Sequence, residues 1–131
     1  MPILDSDILI DYLREKQPAV SAIQALLQNG AVLQTTAFNY FEVFFGAITF
    51  EENAQKIEKT QFFLDSLEIL FPDLASFRKS AEIQLALRKK GKMIGPVDLF
   101  IAGIAVTHQY VLHTKNIRHF SHVPGLRLAP Y

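Results

Sequence analysis

The sequence predicts an α/β fold, with a central, mostly parallel sheet of about five strands flanked by helices, formed by residues 1–131 as a single domain. Three observations carry that reading. Short apolar runs alternate with helical stretches along the whole chain, the pattern of a parallel sheet joined by crossover helices. No internal repeat, low-complexity stretch or Pro/Gly/Ser-rich linker divides the 131 residues, a length suited to one compact domain. Half of the residues are hydrophobic and only 20% charged, with 11 Phe and four Tyr to fill a core, which excludes a disordered chain.

Taken in order, Ile3-Leu4 is a short apolar run ending at Asp5, and Ile8, Leu9, Tyr12 and Leu13 then recur at helical spacing. Pro18 opens a second helix that runs through Val20, Ile23, Leu26 and Leu27 and stops at Asn29-Gly30. Ala31-Val32-Leu33 reads as the second strand, after which Thr35 or Thr36 caps a helix reaching about Ile48. Residues 52–67 form another helical stretch. Glu68-Ile69-Leu70-Phe71 is the third strand, and Asp73 caps an amphipathic helix with Phe77, Ala81, Leu85 and Arg88 on it. Lys89-Lys90-Gly91-Lys92 ends that helix, its cations complementing the helix dipole. Gly95-Pro96 starts the next, with Pro in the first turn, and Asp98 follows two residues on. Tyr110-Val111-Leu112 and Leu126-Arg127-Leu128 complete the sheet.

Composition narrows the chemistry. With no Cys there are no disulfides, no thiol catalysis and no thiolate-based zinc site. Met1-Pro2-Ile3-Leu4 meets Asp5 and Asp7 at once, with no signal-peptide pattern and no run near 18 apolar residues, so a cytoplasmic protein without membrane contact is expected. The formal net charge of zero hides an asymmetry. Residues 1–75 carry four basic and 11 acidic residues, whereas residues 76–131 carry nine basic and two acidic ones, so the halves sum to minus seven and plus seven. Such polarity hints at a polyanionic partner, although Arg88, Lys89, Lys90 and Lys92 also suit a solvated helix end.

In a parallel α/β sheet ligands gather outside the carboxyl ends of the strands, so polar residues at strand ends and helix starts matter most. Asp5, Thr35 and Thr114 fall there, with Asp7 close behind Asp5, which is placed either to cap the following helix or to face a ligand. Glu42 projects beside the stripe Phe38, Phe41 and Phe45, where desolvation costs several kcal/mol unless a cation or donors compensate; the alternative is escape to the rim. Asp98 lies in the first turn of its helix, favoured there by the dipole, and shares a face with Ile101, Ala102 and Ala105. These acids stand 37 and 56 residues apart and meet only through the fold. Hard oxygen ligands of this kind select Mg²⁺ or Mn²⁺. Competing motifs are missing: there is no GxGxxG, GxxxxGK or GxSxG, and His108, His113, His119 and His122 match no HExxH, with His119 and His122 assigned to a polar loop.

Four blocks together resemble the PIN-domain ribonucleases of the VapC toxin type. They are Ile3-Leu4-Asp5-Ser6-Asp7-Ile8-Leu9-Ile10, Phe41-Glu42-Val43-Phe44-Phe45-Gly46, Ile94 through Ala102, and Val111 through Phe120, closing with Val123-Pro124-Gly125-Leu126. The resemblance implies a PIN-like fold and an Mg²⁺- or Mn²⁺-dependent endoribonuclease, the toxin of a toxin–antitoxin pair, acting on an RNA substrate as a homodimer and restrained by a cognate antitoxin. It maps catalytic and metal-holding roles to Asp5, Glu42 and Asp98, with Asp7, Thr114, Asn116 and His119 in support. Two departures stand out. Asp7 replaces a usual Asn, and His119 stands where such toxins often carry a fourth acid. Two other readings remain open on the residues alone: a haloacid-dehalogenase-like phosphatase with Asp5 as nucleophile, and a catalytically degenerate binding domain.

Overall fold

The computed structural model describes residues 1–131. Its elements run β1 (Pro2–Leu4), α1 (Ser6–Leu13), α2 (Ala19–Gln28), β2 (Gln34–Thr36), α3 (Ala37–Phe50), α4 (Ala54–Ser66) and β3 (Glu68–Leu70), then α5 (Leu74–Lys90), α6 (Pro96–His108), β4 (Val111–His113), α7 (Ile117–Phe120) and β5 (Arg127–Ala129). The five strands form one sheet in the order β3-β2-β1-β4-β5, every pairing parallel, so the expected α/β sheet is present and is wholly parallel.

The strand order dictates the layers. The chain steps from β1 outward through β2 to β3, then crosses to the other side of β1 for β4 and β5. Right-handed crossovers put the first set of helices on one face and the second on the other. Side chains on β1 alternate accordingly. Leu4 packs with Ile8, Leu9, Ile23, Val43 and Leu64 from α1 to α4, whereas Ile3 packs with Ile83, Leu87, Ile101, Ile104 and Phe120 from α5 to α7. Both β1 residues are fully buried, as a central parallel strand requires.

On the second face α5 and α6 approach closely at Gly103. A Cβ at that position would sit 2.7 Å from the Ser76 carbonyl oxygen and would collide with the Ser80 side chain, whose hydroxyl donates to the Leu99 carbonyl at 3.2 Å. α5 ends as its sequence requires: Arg88, Lys89 and Lys90 occupy the last turn, and Gly91 takes the left-handed conformation at φ 66°.

Several elements differ from the sequence reading. β2 is Gln34–Thr36, not Ala31-Val32-Leu33. The polar segment is the buried one because its side chains find partners on β1: Gln34 Nε2 donates to the Pro2 carbonyl at 3.3 Å and Thr35 Oγ1 to the Leu4 carbonyl at 2.6 Å. Val32, outside the sheet, is half exposed. β4 and β5 lie one residue later than expected, the register with β1 placing His113 opposite Leu4. The third strand stops at Leu70 and leaves Phe71 exposed, and the helix expected over residues 52–67 is α4. His119 belongs to the short helix α7 and not to a loop. The stripe of Phe38, Phe41 and Phe45 is not the core face of α3; Asn39 and Val43 are buried, while Phe41, Phe45 and Glu42 are exposed.

Candidate active site

β1 is the strand at which the chain reverses direction across the sheet, and in open parallel sheets the crevice at that switch point receives ligands. Asp5 is the first residue beyond it. Its backbone N–H continues the ladder, donating to the His113 carbonyl at 3.1 Å, and its carboxylate caps α1 by accepting from Ser6 N–H at 2.8 Å. The neighbouring strands deliver further donors: Asn39 Nδ2, just after β2, donates to Asp5 Oδ1 at 2.9 Å, and Thr114 Oγ1, just after β4, donates to Asp5 Oδ2 at 2.7 Å. Only 8% of Asp5 is exposed. Burial pushes its carboxyl up to about 6, with the Asp7 and Asp98 charges adding to the rise while the Thr114 and Ser6 hydrogen bonds oppose it. No cationic side chain forms an ion pair with it.

Asp7, in the first turn of α1, accepts from its own helix at Ile8 N–H, 2.7 Å away, and from Lys115 N–H at 2.8 Å. The Lys115 side chain pairs instead with Asp11, which holds the Asp11 carboxyl below the usual range. Asp98 is the third residue of α6, behind the N-terminal Gly95 and Pro96. Its Oδ2 lies 3.3 Å from His119 Nδ1, and Asn116 Nδ2 lies 3.1 Å from the same ring nitrogen. Asn116 N–H in turn donates to Thr114 Oγ1 at 3.0 Å. The turn after β4 therefore laces the two acids together, from Asp5 through Thr114, Asn116 and His119 to Asp98.

Glu42 stands apart from these hydrogen bonds. It is exposed on α3, so of the two placements left open it takes the rim and is not desolvated, and with Phe38, Phe41, Gly95, Pro96 and Asp98 it lines a cleft of about 410 Å³. A groove of about 470 Å³ along α2 and the last residues is lined by no acidic side chain. The structure thus joins Asp5, Asp7 and Thr114 in one group and Asp98, Asn116 and His119 in another, with Glu42 lining the same cleft as Asp98. No three His, Asp or Glu side chains converge tightly enough to hold one ion. The donor set nonetheless suits a hard divalent cation: a buried carboxylate pushed up by burial and two acidic neighbours, served only by neutral donors, lacks a compensating positive charge.

The sequence reading missed Asn39, which is fully buried and uses all of its amide. Its Oδ1 accepts from Thr36 N–H and Thr36 Oγ1, and its Nδ2 donates to Asp5 and to Ser6 Oγ. The available signal was Thr36-x-x-Asn39 at a helix start on the ligand edge, a capping box with Asn in the third position.

Comparison with known proteins bears on the family and the fold. The family described as PIN domain matches residues 3–126. A tRNA(fMet)-specific endonuclease VapC of Salmonella typhimurium is 29% identical over 129 residues, covering 98% of this chain and 96% of its own. Among solved structures, VapBC-1 from nontypeable Haemophilus influenzae superposes with a TM-score of 0.81 at 27% identity, over 98% of this chain and 96% of that one. A structure of VapBC2 from Rickettsia felis bound to a promoter DNA fragment gives 0.87 at 24% identity, over 99% and 98%.

Proposed function

The chain belongs to the PIN domain family, and from that membership we propose that it is a metal-dependent endoribonuclease, the toxin of a toxin–antitoxin pair. The observation that carries the reading is Asp5: a buried carboxylate at the switch point of the sheet, raised to about 6, without a cation and connected through Thr114, Asn116 and the His119 ring to Asp98. The haloacid-dehalogenase alternative gives way to the family match, and both Asp5 oxygens are engaged by donors that fix them in place.

Asp5 and Asp98 would hold Mg²⁺ or Mn²⁺, with Glu42, which lines the same cleft as Asp98, as the third carboxylate. When bound, the ion supplies Lewis-acid polarisation of a phosphodiester and lowers the pKa of the attacking water. The chain's own residues do the positioning. Ser6 N–H, Asn39 and Thr114 aim the Asp5 oxygens, and Asp7 adds negative charge beside them. The basic end of α5 would grip the RNA backbone; Lys90 Nζ donates to the His122 carbonyl at 3.2 Å, which docks that end beside α7 and the His119 side of the site. Phosphate contacts of this kind give affinity and salt dependence without reading sequence.

An antitoxin and a second copy of the chain are the proposed partners. Phe41, Phe45, Phe50, Phe62, Phe71 and Leu74 are all more than half exposed, apolar surface that a contact with another chain would cover. Cytoplasmic action follows from an RNA substrate, and no helix is long and apolar enough to cross a membrane.

Incubating the purified protein with RNA in Mg²⁺ or Mn²⁺, with and without chelator, tests the reading. Cleavage that needs the metal and disappears in Asp5→Asn and Asp98→Asn is expected. Cleavage surviving both substitutions would overturn the site. No cleavage under any metal would leave the degenerate binding domain as the better description.

A further inference from the structure

Two groups compete for one atom beside Asp98. His119 Nδ1 lies 3.1 Å from Asn116 Nδ2 and 3.3 Å from Asp98 Oδ2, yet an imidazole nitrogen offers either one proton or one lone pair. Nδ1 therefore serves one neighbour at a time: as N–H it donates to Asp98 and leaves the Asn116 amide without an acceptor, and as a lone pair it accepts from Asn116 and faces the anionic oxygen with no proton between them. In the second tautomer a cation bound by both Nδ1 and Oδ2 relieves that contact. The 3.3 Å separation is also close to the roughly 3 Å between adjacent ligand atoms around an octahedral ion with bonds of about 2.1 Å. More than half of the His119 side chain is exposed, so an ion reaches it from solvent.

We propose that His119 is itself a ligand of the cation held at Asp98, giving an otherwise all-oxygen site one nitrogen donor and a preference for Mn²⁺ over Mg²⁺. Mg²⁺ takes oxygen ligands and keeps its waters, whereas imidazole nitrogen binds first-row transition ions better than it binds Mg²⁺. The inference rests on the nuclease reading only in requiring a divalent cation at the Asp5 and Asp98 edge.

Electron spin echo measurements on the Mn²⁺-loaded protein test it directly, because a coordinated imidazole imprints ¹⁴N modulation on the manganese signal. Wild type should show that modulation and His119→Gln should lose it while still binding Mn²⁺ more weakly, by about tenfold. The excess of Mg²⁺ needed to displace Mn²⁺ should fall in the same variant. Melting of the metal-free variant at the wild-type temperature would show that its fold is intact. Manganese that binds in an Asp98-dependent way without ¹⁴N modulation, or with modulation that persists in His119→Gln, overturns the ligand assignment and leaves the nuclease reading standing. Manganese binding unaffected by Asp98→Asn overturns both.

Discussion

Thr114 donates its hydroxyl to Asp5 Oδ2 at 2.7 Å, joining residues 109 positions apart, and the same oxygen lies 3.1 Å from Asp7 Oδ2. A hydroxyl has one proton, so it serves one carboxylate at a time, and Asp7 Oδ2 relies on Lys115 N–H at 2.8 Å while Thr114 serves Asp5. Thr114→Val keeps the shape and removes the proton. We expect the variant to raise the Asp5 carboxyl further and to lose about 1 to 3 kcal/mol of stability near neutral pH. Urea unfolding measures this; equal midpoints for the two proteins would show that the hydroxyl does not mediate between the acids.

The raised Asp5 carboxyl fixes the sign of a pH effect. Between its ordinary value of 3.8 and about 6 the native state holds a proton that the unfolded chain has released, so stability falls as pH rises through that window. The difference amounts to on the order of 3 kcal/mol. Above about 6 the metal-free protein carries the full penalty. Asp11, lowered chiefly by Lys115, acts oppositely and in a different range, losing its contribution as pH falls below 3.8. Asp5→Asn should therefore melt higher than wild type at about pH 7.5 without metal and flatten the decline between 4 and 6. A decline of unchanged depth in the variant would assign it to another group.

Gly103 predicts a purely structural loss. Gly103→Ala forces a methyl group against Ser80 and the Ser76 carbonyl, across two packed helices that cannot separate locally. The expected cost is about 1 to 3 kcal/mol by urea unfolding. Ser80→Ala in the same chain should recover part of it, whereas no recovery would mean that the backbone contact dominates.

Phe41 and Phe45 stack at 5.7 Å with their planes 8° apart, both facing water. If they belong to a contact between copies, replacing both by Ser should shift sedimentation toward the monomer without lowering the melting temperature. A monomeric wild type, or a dimer indifferent to the double substitution, would remove this surface from the assembly.

What the sequence made legible follows from what each residue's role depends on. Asp5 and Asp98 were readable because local rules place them, one past an apolar strand and the other in the first turn behind Pro96. Glu42 was readable in position but not in environment, since an apolar stripe does not declare which face meets the core, and α3 turns Asn39 and Val43 inward. β2 was misplaced for the complementary reason. Ala31-Val32-Leu33 is the more apolar run, yet Gln34 and Thr35 are buried by hydrogen bonds to β1, partners 31 and 32 residues away that local pattern does not contain. Asn39 and the His119 contact to Asp98 were invisible on the same ground, because each becomes meaningful only after the sheet has assembled.

The position of β1 also sets the order of events as the chain is made. Its partner β4 begins at Val111, so the N-terminal strand emerges with one of its two neighbours still unsynthesised. At about 5 to 20 residues per second, Thr114 follows Asp5 out by roughly 5 to 20 s. Until then the acids stand on a half-built sheet, and neither the hydroxyl nor the imidazole that completes their surroundings exists. The acidic edge is thus a late product of translation, and a ribosome carrying the unfinished chain carries no finished nuclease.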